Sequence, residues 1–121
     1  MLVTNNIAQA FADDNLEKFR REIERAKEIA MEFDENGLIA VLNGMKERPD
    51  RCLLLKDDKV PLLVIAGKKD NYIPFEVAKT IPELGTNVEL AVLENSGHMG
   101  FIEEKDKSVT ILKEFISRHQ P

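Results

Sequence analysis

The chain has 121 residues, of which 43% are apolar and 32% are charged, and this is the size and composition of one globular domain. The formal net charge is −5, and Lys and Arg are mixed with Asp and Glu, which argues against a nucleic-acid-binding protein. The apolar runs are too short to cross a bilayer and the amino terminus lacks a secretory signal, so we expect no membrane association and a cytoplasmic location.

Residues 14–33 are predicted to form a first, amphipathic helix. Asp14 followed by Glu17 is typical of a capping box, so we expect the helix to begin there. Apolar side chains then recur in steps of three and four residues, which places them on one face. They are Leu16, Phe19, Ile23, Ala26, Ala30 and Phe33.

A second, shorter helix is predicted after a break at Asn36 and Gly37. Glycine readily adopts the left-handed conformation that ends a helix. Apolar residues resume after it at helical spacing, at Leu38, Ile39, Val41, Leu42 and Met45. Pro49 follows, and because proline cannot continue a helix, the second helix is expected to end before it.

The hydrophobic pattern changes after Val60. The run VPLLVIAG, bounded by Pro61 and Gly67, is short and continuously apolar, which is typical of a strand buried on both faces. The elements predicted after it are a helix at 75–84 that Pro82 shortens or bends, a second strand at 88–93 and an amphipathic helix at 107–118. This order predicts an α/β fold, with two parallel strands joined by a crossover.

Two strands are too few for an independent parallel sheet. Parallel sheets bury both faces and usually contain several strands, and small sheets are only marginally stable alone. The first strand is also more uniformly apolar than an edge strand usually is. We therefore expect the chain to be the end of a larger α/β domain.

Two turns of the second half resemble those of a known family. The segment VPLLVIAGKKDNYIP is a strand, a glycine, a polar stretch with Asp70, and Ile-Pro. The segment VELAVLENSGHMGFIEE is a strand, a polar stretch, Gly97-His98, and then apolar and acidic residues. With the closing helix ILKEFISRH, they resemble the carboxy-terminal end of the α/β-hydrolase fold in cap-bearing serine hydrolases. The resemblance covers residues 58–118.

The resemblance implies a helical cap or lid segment at residues 1–50 and a β-α-β-α part of the hydrolase core at residues 51–121. It implies that Asp70 is the acid and His98 the general base of a Ser-His-Asp triad. Such groups gather at the carboxyl ends of parallel strands. The parent enzyme would cleave a small-molecule ester, or another acyl substrate, without a cofactor.

The nucleophile of that mechanism is missing from the sequence. In the family it is the serine of a Gly-x-Ser-x-Gly elbow, which precedes the acid and the histidine. No serine precedes Asp70 here, and the chain's serines, Ser96, Ser108 and Ser117, follow it outside any elbow. We therefore expect a truncated hydrolase that is inactive alone, with the nucleophile outside this chain.

Simpler interpretations stay open for the same residues. Asp70 also suits a solvated turn, and His98 also suits a loop histidine held by backbone groups. The alternative function is a non-catalytic module that reuses the fold and self-associates. A homo-oligomer, such as a dimer, is expected through an exposed strand edge or the first helix, because both would lack their partners.

Metal and disulfide chemistry is not expected. A single cysteine, Cys52, cannot form an internal disulfide, and the two histidines belong to no ligand-spaced cluster. Cys52 is instead predicted to be a small buried residue.

Overall fold

The computed structural model describes residues 6–57 and 59–120. Its helices and strands, in chain order, are α1 (Arg20–Met31), α2 (Glu35–Glu47), β1 (Leu62–Gly67), α3 (Phe75–Ala78), β2 (Val88–Leu93), α4 (Gly100–Glu103) and α5 (Lys105–His119). Short 3₁₀ turns lie at Ala8–Ala10, Asp13–Asn15, Cys52–Asp57 and Ile81–Leu84. Within these ranges no helix has the length and apolar character needed to span a membrane.

The two strands pair in parallel, as predicted. Leu62 lies opposite Val88 and Gly67 lies opposite Leu93, and within the described ranges these strands make up the whole sheet. The connection between them contains α3 and a 3₁₀ turn in place of one longer helix. Pro82 lies in that turn, and proline cannot donate the hydrogen bond that would continue a helix. The α/β fold class is confirmed.

The burial of β1 differs from the prediction along its length. Ala66 and Gly67 are buried, but residues 62–65 are only half-buried. The prediction of a strand buried on both faces therefore holds only at the carboxyl end. There Gly67 lies against Ser96 and Gly97 of the loop that follows β2. Along its whole length the strand pairs with β2 alone among the described strands.

The predicted start of the first helix is wrong by about a turn and a half. The α-helix begins at Arg20, after a 3₁₀ turn at Asp13–Asn15. Asp14 does not cap it, because its carboxylate pairs with Lys69 of the loop after β1. Tertiary contacts of the segment before the helix thus override the capping pattern.

The predicted break at Asn36 and Gly37 is also wrong. Helix α1 ends at Met31, and α2 already begins at Glu35. Asp34 is the N-cap of α2, and its carboxylate accepts a hydrogen bond from the Gly37 amide at 3.1 Å. The glycine therefore lies in the first turn of a helix that it was expected to precede.

The buried core lies where the segment before α1 meets the loop after β2. Phe11 is fully buried, and both Ala10 and Ile23, the latter in α1, are buried beside it. The partly buried side chains around them include Phe19 before α1, and Met99 and Ile102 around α4. This packing fixes the position of the loop that contains His98.

One prediction about the surface is wrong. Cys52 is exposed, in the 3₁₀ turn Cys52–Asp57. Its amide donates to the Asp50 carboxylate at 2.8 Å. A hydrogen bond and charge repulsion from the same carboxylate raise the pKa of the Cys52 thiol. The exposed thiol is therefore held in its protonated, less reactive form.

Candidate active site

The turn after β1 holds Asp70 in a fixed orientation. Backbone hydrogen bonds continue past the end of β1. The Lys68 amide donates to the carbonyl of Leu93 in β2, and the Lys69 amide donates to that of Ser96 in the loop after β2, both at 2.9 Å. Asp70 then folds back on its own turn: its Oδ1 accepts hydrogen bonds from the amides of Tyr72 at 2.7 Å and Ile73 at 3.0 Å. This side-chain-to-backbone turn leaves Oδ2 for another partner.

That partner is His98. Its Nδ1 lies 2.9 Å from Asp70 Oδ2, and the Asp70 side chain is 9% exposed while that of His98 is 42% exposed. The rings of Tyr72 and His98 pack edge to face, and their centres lie 5.3 Å apart. The structure thus brings both sequence-predicted site residues together, through the Nδ1 atom of His98.

The Asp70 carboxyl is held in its charged form. Burial opposes ionisation, but the hydrogen bonds from Ile73, His98 and Tyr72 outweigh it, so the pKa of Asp70 is lowered. Asp70 is therefore a carboxylate at neutral pH. A carboxylate at Nδ1 favours the tautomer in which Nδ1 holds the proton and Nε2 is free to accept one.

Two glycines allow the histidine loop to pack closely, one against the end of β1 and the other against the segment before α1. A Cβ on Gly67 would lie 2.0 Å from the Gly97 carbonyl oxygen, and a Cβ on Gly97 would lie 2.6 Å from the Ala12 nitrogen. Both distances are too short for any side chain. The glycines are needed here because backbone approaches backbone closely.

The loop around His98 is tied to the segment before α1. The Met99 amide donates to the Ala10 carbonyl at 3.0 Å, and the Gly97 amide donates to Glu103 Oε1 at 2.8 Å. Glu103 was not among the residues predicted to belong to the site. The available signal was an acidic residue soon after the histidine, and nothing in the pattern indicated that it would be buried.

The serine hydroxyls are engaged elsewhere. Ser96, which is fully buried, donates to Glu104 Oε2 at 2.6 Å. Ser108 donates to the carbonyls of Gly100 and Glu104, and Ser117 to that of Glu114. Each hydroxyl therefore has an acceptor other than His98.

A cavity of about 310 Å³ adjoins the acid and the histidine. Its wall includes Asp70, His98 and apolar side chains such as Ile73, Phe101 and Leu112. Phe101 is 63% exposed and Leu112 is 45% exposed. In the part of the chain that the structure describes, no cluster of His, Cys, Asp and Glu is arranged to hold a metal ion.

Proteins of known sequence are similar to part of this chain. No family model matches the chain. It is 40% identical over 57 residues to the AB hydrolase superfamily protein YisY of Bacillus subtilis, covering 47% of this chain and 21% of that protein. It is 36% identical over 61 residues to a proline iminopeptidase of Lactobacillus helveticus, covering 50% of this chain and 20% of that protein. The chain thus spans about a fifth of these relatives.

A solved structure matches nearly the whole chain. A malate-bound thermophilic esterase from Thermogutta terrifontis superimposes with a TM-score of 0.89 at 21% sequence identity. The match covers 97% of this chain and 43% of the esterase. At this identity the likeness concerns the fold. The resemblance inferred from the sequence is confirmed, as is the correspondence of this chain to a part of the fold.

Proposed function

We propose that this chain supplies the acid and the general base of a serine hydrolase that cleaves esters. The chain is a relative of α/β-hydrolase-fold proteins and matches part of their length. The proposal depends on one observation above all, the 2.9 Å contact between Asp70 and His98 at the carboxyl ends of adjacent parallel strands. The carboxylate state of Asp70 and the exposed His98 ring support the same roles.

In the proposed reaction His98 transfers one proton in each direction. Nε2 takes the proton of a serine hydroxyl while the serine oxygen attacks the acyl carbon, and then gives it to the departing alcohol. A water molecule then attacks the acyl-enzyme in the same way, giving its proton to Nε2, which passes it to the serine oxygen as the carboxylic acid product leaves. Asp70 orients the imidazole and stabilises its cationic form.

The serine comes from outside this chain. No serine precedes Asp70 in the sequence, and the three hydroxyls that follow it donate to other acceptors. We propose that the chain alone does not hydrolyse esters, and that another part of a hydrolase domain, with the nucleophile elbow and the oxyanion hole, completes the site. The open cavity beside His98 is the space that such a part would fill.

A chimera tests these roles. In it, this chain replaces the structurally equivalent 43% of the Thermogutta terrifontis esterase, whose remainder provides the other part of the domain. We expect the chimera to hydrolyse a short-chain ester and to lose this activity in its His98→Ala variant. A folded chimera with no hydrolysis, or with hydrolysis that His98→Ala leaves unchanged, would contradict the proposal.

Exposed apolar side chains favour a second candidate, a self-associating module. On α1, α2 and the segments next to them, large side chains that are at least 60% exposed include Met31, Phe33, Val41, Met45, Leu53, Leu54 and Val60. Exposed apolar side chains favour association where they form a patch. Sedimentation velocity over a range of concentrations tests it: a dimer is expected, and a monomer at all concentrations would reject this candidate.

A further inference from the structure

We propose that Glu103 is a positioning residue for His98. Its buried carboxylate fixes the amide of Gly97, the residue before the histidine, and thereby keeps the imidazole against Asp70. The inference rests on the proposed function, in which His98 is the general base.

The Glu103 carboxylate joins two distant segments of the chain. The residue is 6% exposed. Its Oε1 accepts from the Gly97 amide at 2.8 Å, whereas its Oε2 accepts from the Ala12 amide at 2.8 Å and from Asn15 Nδ2 at 2.6 Å. All three donors are uncharged. A buried carboxylate is costly unless hydrogen bonds compensate for lost water, and these bonds use both of its oxygens.

The bonded groups flank the histidine. Gly97 directly precedes His98, and on the other side the Met99 amide donates to the Ala10 carbonyl at 3.0 Å. Both neighbours of His98 are thus attached to residues 10–15. Loss of the Glu103 contact would free the Gly97 amide, and a small backbone rotation there would move the imidazole away from Asp70 Oδ2.

The next residue offers a matched comparison. Glu104 is also a carboxylate that binds this loop, but it accepts from the amide of Asn95 at 2.9 Å and the hydroxyl of Ser96 at 2.6 Å. Its carboxylate binds groups two and three residues before His98, whereas that of Glu103 binds the amide of the residue directly before it. If carboxylates merely stabilise the loop, substitutions at the two positions should affect His98 alike.

The amide substitution Glu103→Gln tests whether both side-chain oxygens must accept hydrogen bonds. A glutamine side chain has one acceptor oxygen and an NH₂ group that only donates. In place of the carboxylate, the glutamine NH₂ group would face another donor, either the Gly97 amide or the amide of Ala12 and the side chain of Asn15. The shape is nearly unchanged, so the altered hydrogen bonding is the main variable.

Nitrogen NMR of the histidine ring gives a readout that fold stability alone does not move. In the full chain, ¹⁵N-labelled at histidine and kept above the pH at which imidazole is charged, the shifts of Nδ1 and Nε2 report which nitrogen holds the proton. A His98→Ala sample assigns the signals. We expect mainly the Nδ1–H form in the unchanged chain and in Glu104→Gln, and a change to mainly Nε2–H in Glu103→Gln.

The outcomes separate this inference from the proposed function. If the unchanged chain lacks the Nδ1–H form, the Asp70–His98 pairing fails, and the positioning role fails with it. If the unchanged chain has that form and folded Glu103→Gln retains it, only the positioning role is overturned. If Glu103→Gln does not fold, amide exchange in the unchanged chain decides: protected Gly97 and Ala12 amides support the role, and fast exchange at Gly97 overturns it.

Discussion

The acid and histidine loops differ from the helices α1 and α2 in how they use their side chains. In the loops, polar groups meet partners within the chain: Asp70 with His98, Glu103 with Gly97, and Ser96 with Glu104. On α2, by contrast, the described side chains are exposed or at most half-buried, although many of them are apolar. The polar side chains of the site loops are therefore bonded within the chain, whereas α2 leaves large apolar side chains exposed.

The largest expected effect concerns the chemistry of the site loops. In the active chimera, His98→Ala should lower kcat by about 10⁶-fold and Asp70→Asn by about 10⁴-fold, because the first removes the base and the second favours the wrong imidazole tautomer. Rates of ester hydrolysis measure both. Equal and small losses would show that the two residues do not act as a pair.

The next effect tests how closely the loops pack. Gly97→Ala would place a methyl group 2.6 Å from the Ala12 nitrogen and 2.8 Å from the Phe11 carbonyl carbon. These are backbone atoms that cannot move independently, so the free energy of unfolding should fall by about 1–3 kcal/mol. Urea denaturation measures the change. Unaltered stability would mean that the two segments lie farther apart than described.

Gly44→Ala is the control for that substitution and should act in the opposite direction. Gly44 lies within α2, and a Cβ there meets nothing within 4 Å. Alanine favours a helix interior over glycine, so the free energy of unfolding should rise by up to about 1 kcal/mol. A loss of stability in the same urea assay would indicate that this face of α2 is covered.

Much of the core was predictable because its signals are local. The strand at residues 88–93 matches the prediction, and β1 and α5 agree with it to within two residues. The meeting of Asp70 and His98 was implied by the resemblance of the two turns to the α/β-hydrolase fold, and it agrees with the rule that such groups gather at the carboxyl ends of parallel strands. The start of α1 was not predictable from local signals, because Asp14 pairs with Lys69 and the Asn15 side chain donates to Glu103. The burial of Glu103 likewise depends on a segment that is distant in sequence.

The acid range provides a further test of the site loops. The pKa of Asp70 is lowered in the folded chain, so the ionised carboxyl stabilises the fold above its ordinary pKa, and this contribution is lost as the pH falls through the lowered value. In Asp70→Asn the free energy of unfolding should therefore depend less on pH in that range. Urea denaturation at several acidic pH values measures it, and an unchanged pH dependence would contradict the pairing.

The smallest expected effect concerns the exposed face of the helices. Phe33→Lys and Met45→Lys replace side chains that are 68% and 67% exposed. Each should change the free energy of unfolding of a monomer by no more than about 0.5 kcal/mol. If this face joins two copies, the same substitutions should shift the sedimentation profile towards monomer. A large loss of stability without any change in association would indicate that the face is buried within one chain.

Covalent labelling with a fluorophosphonate probe tests the central claim most directly, namely that this chain contains the acid and the base but takes its nucleophile from outside. The purified chain is incubated with the probe at neutral pH, and its intact mass is measured alongside that of the His98→Ala variant. We expect no adduct on either. An adduct on Ser96, Ser108 or Ser117 that disappears in His98→Ala would mean that the chain activates a serine of its own, and would contradict the account.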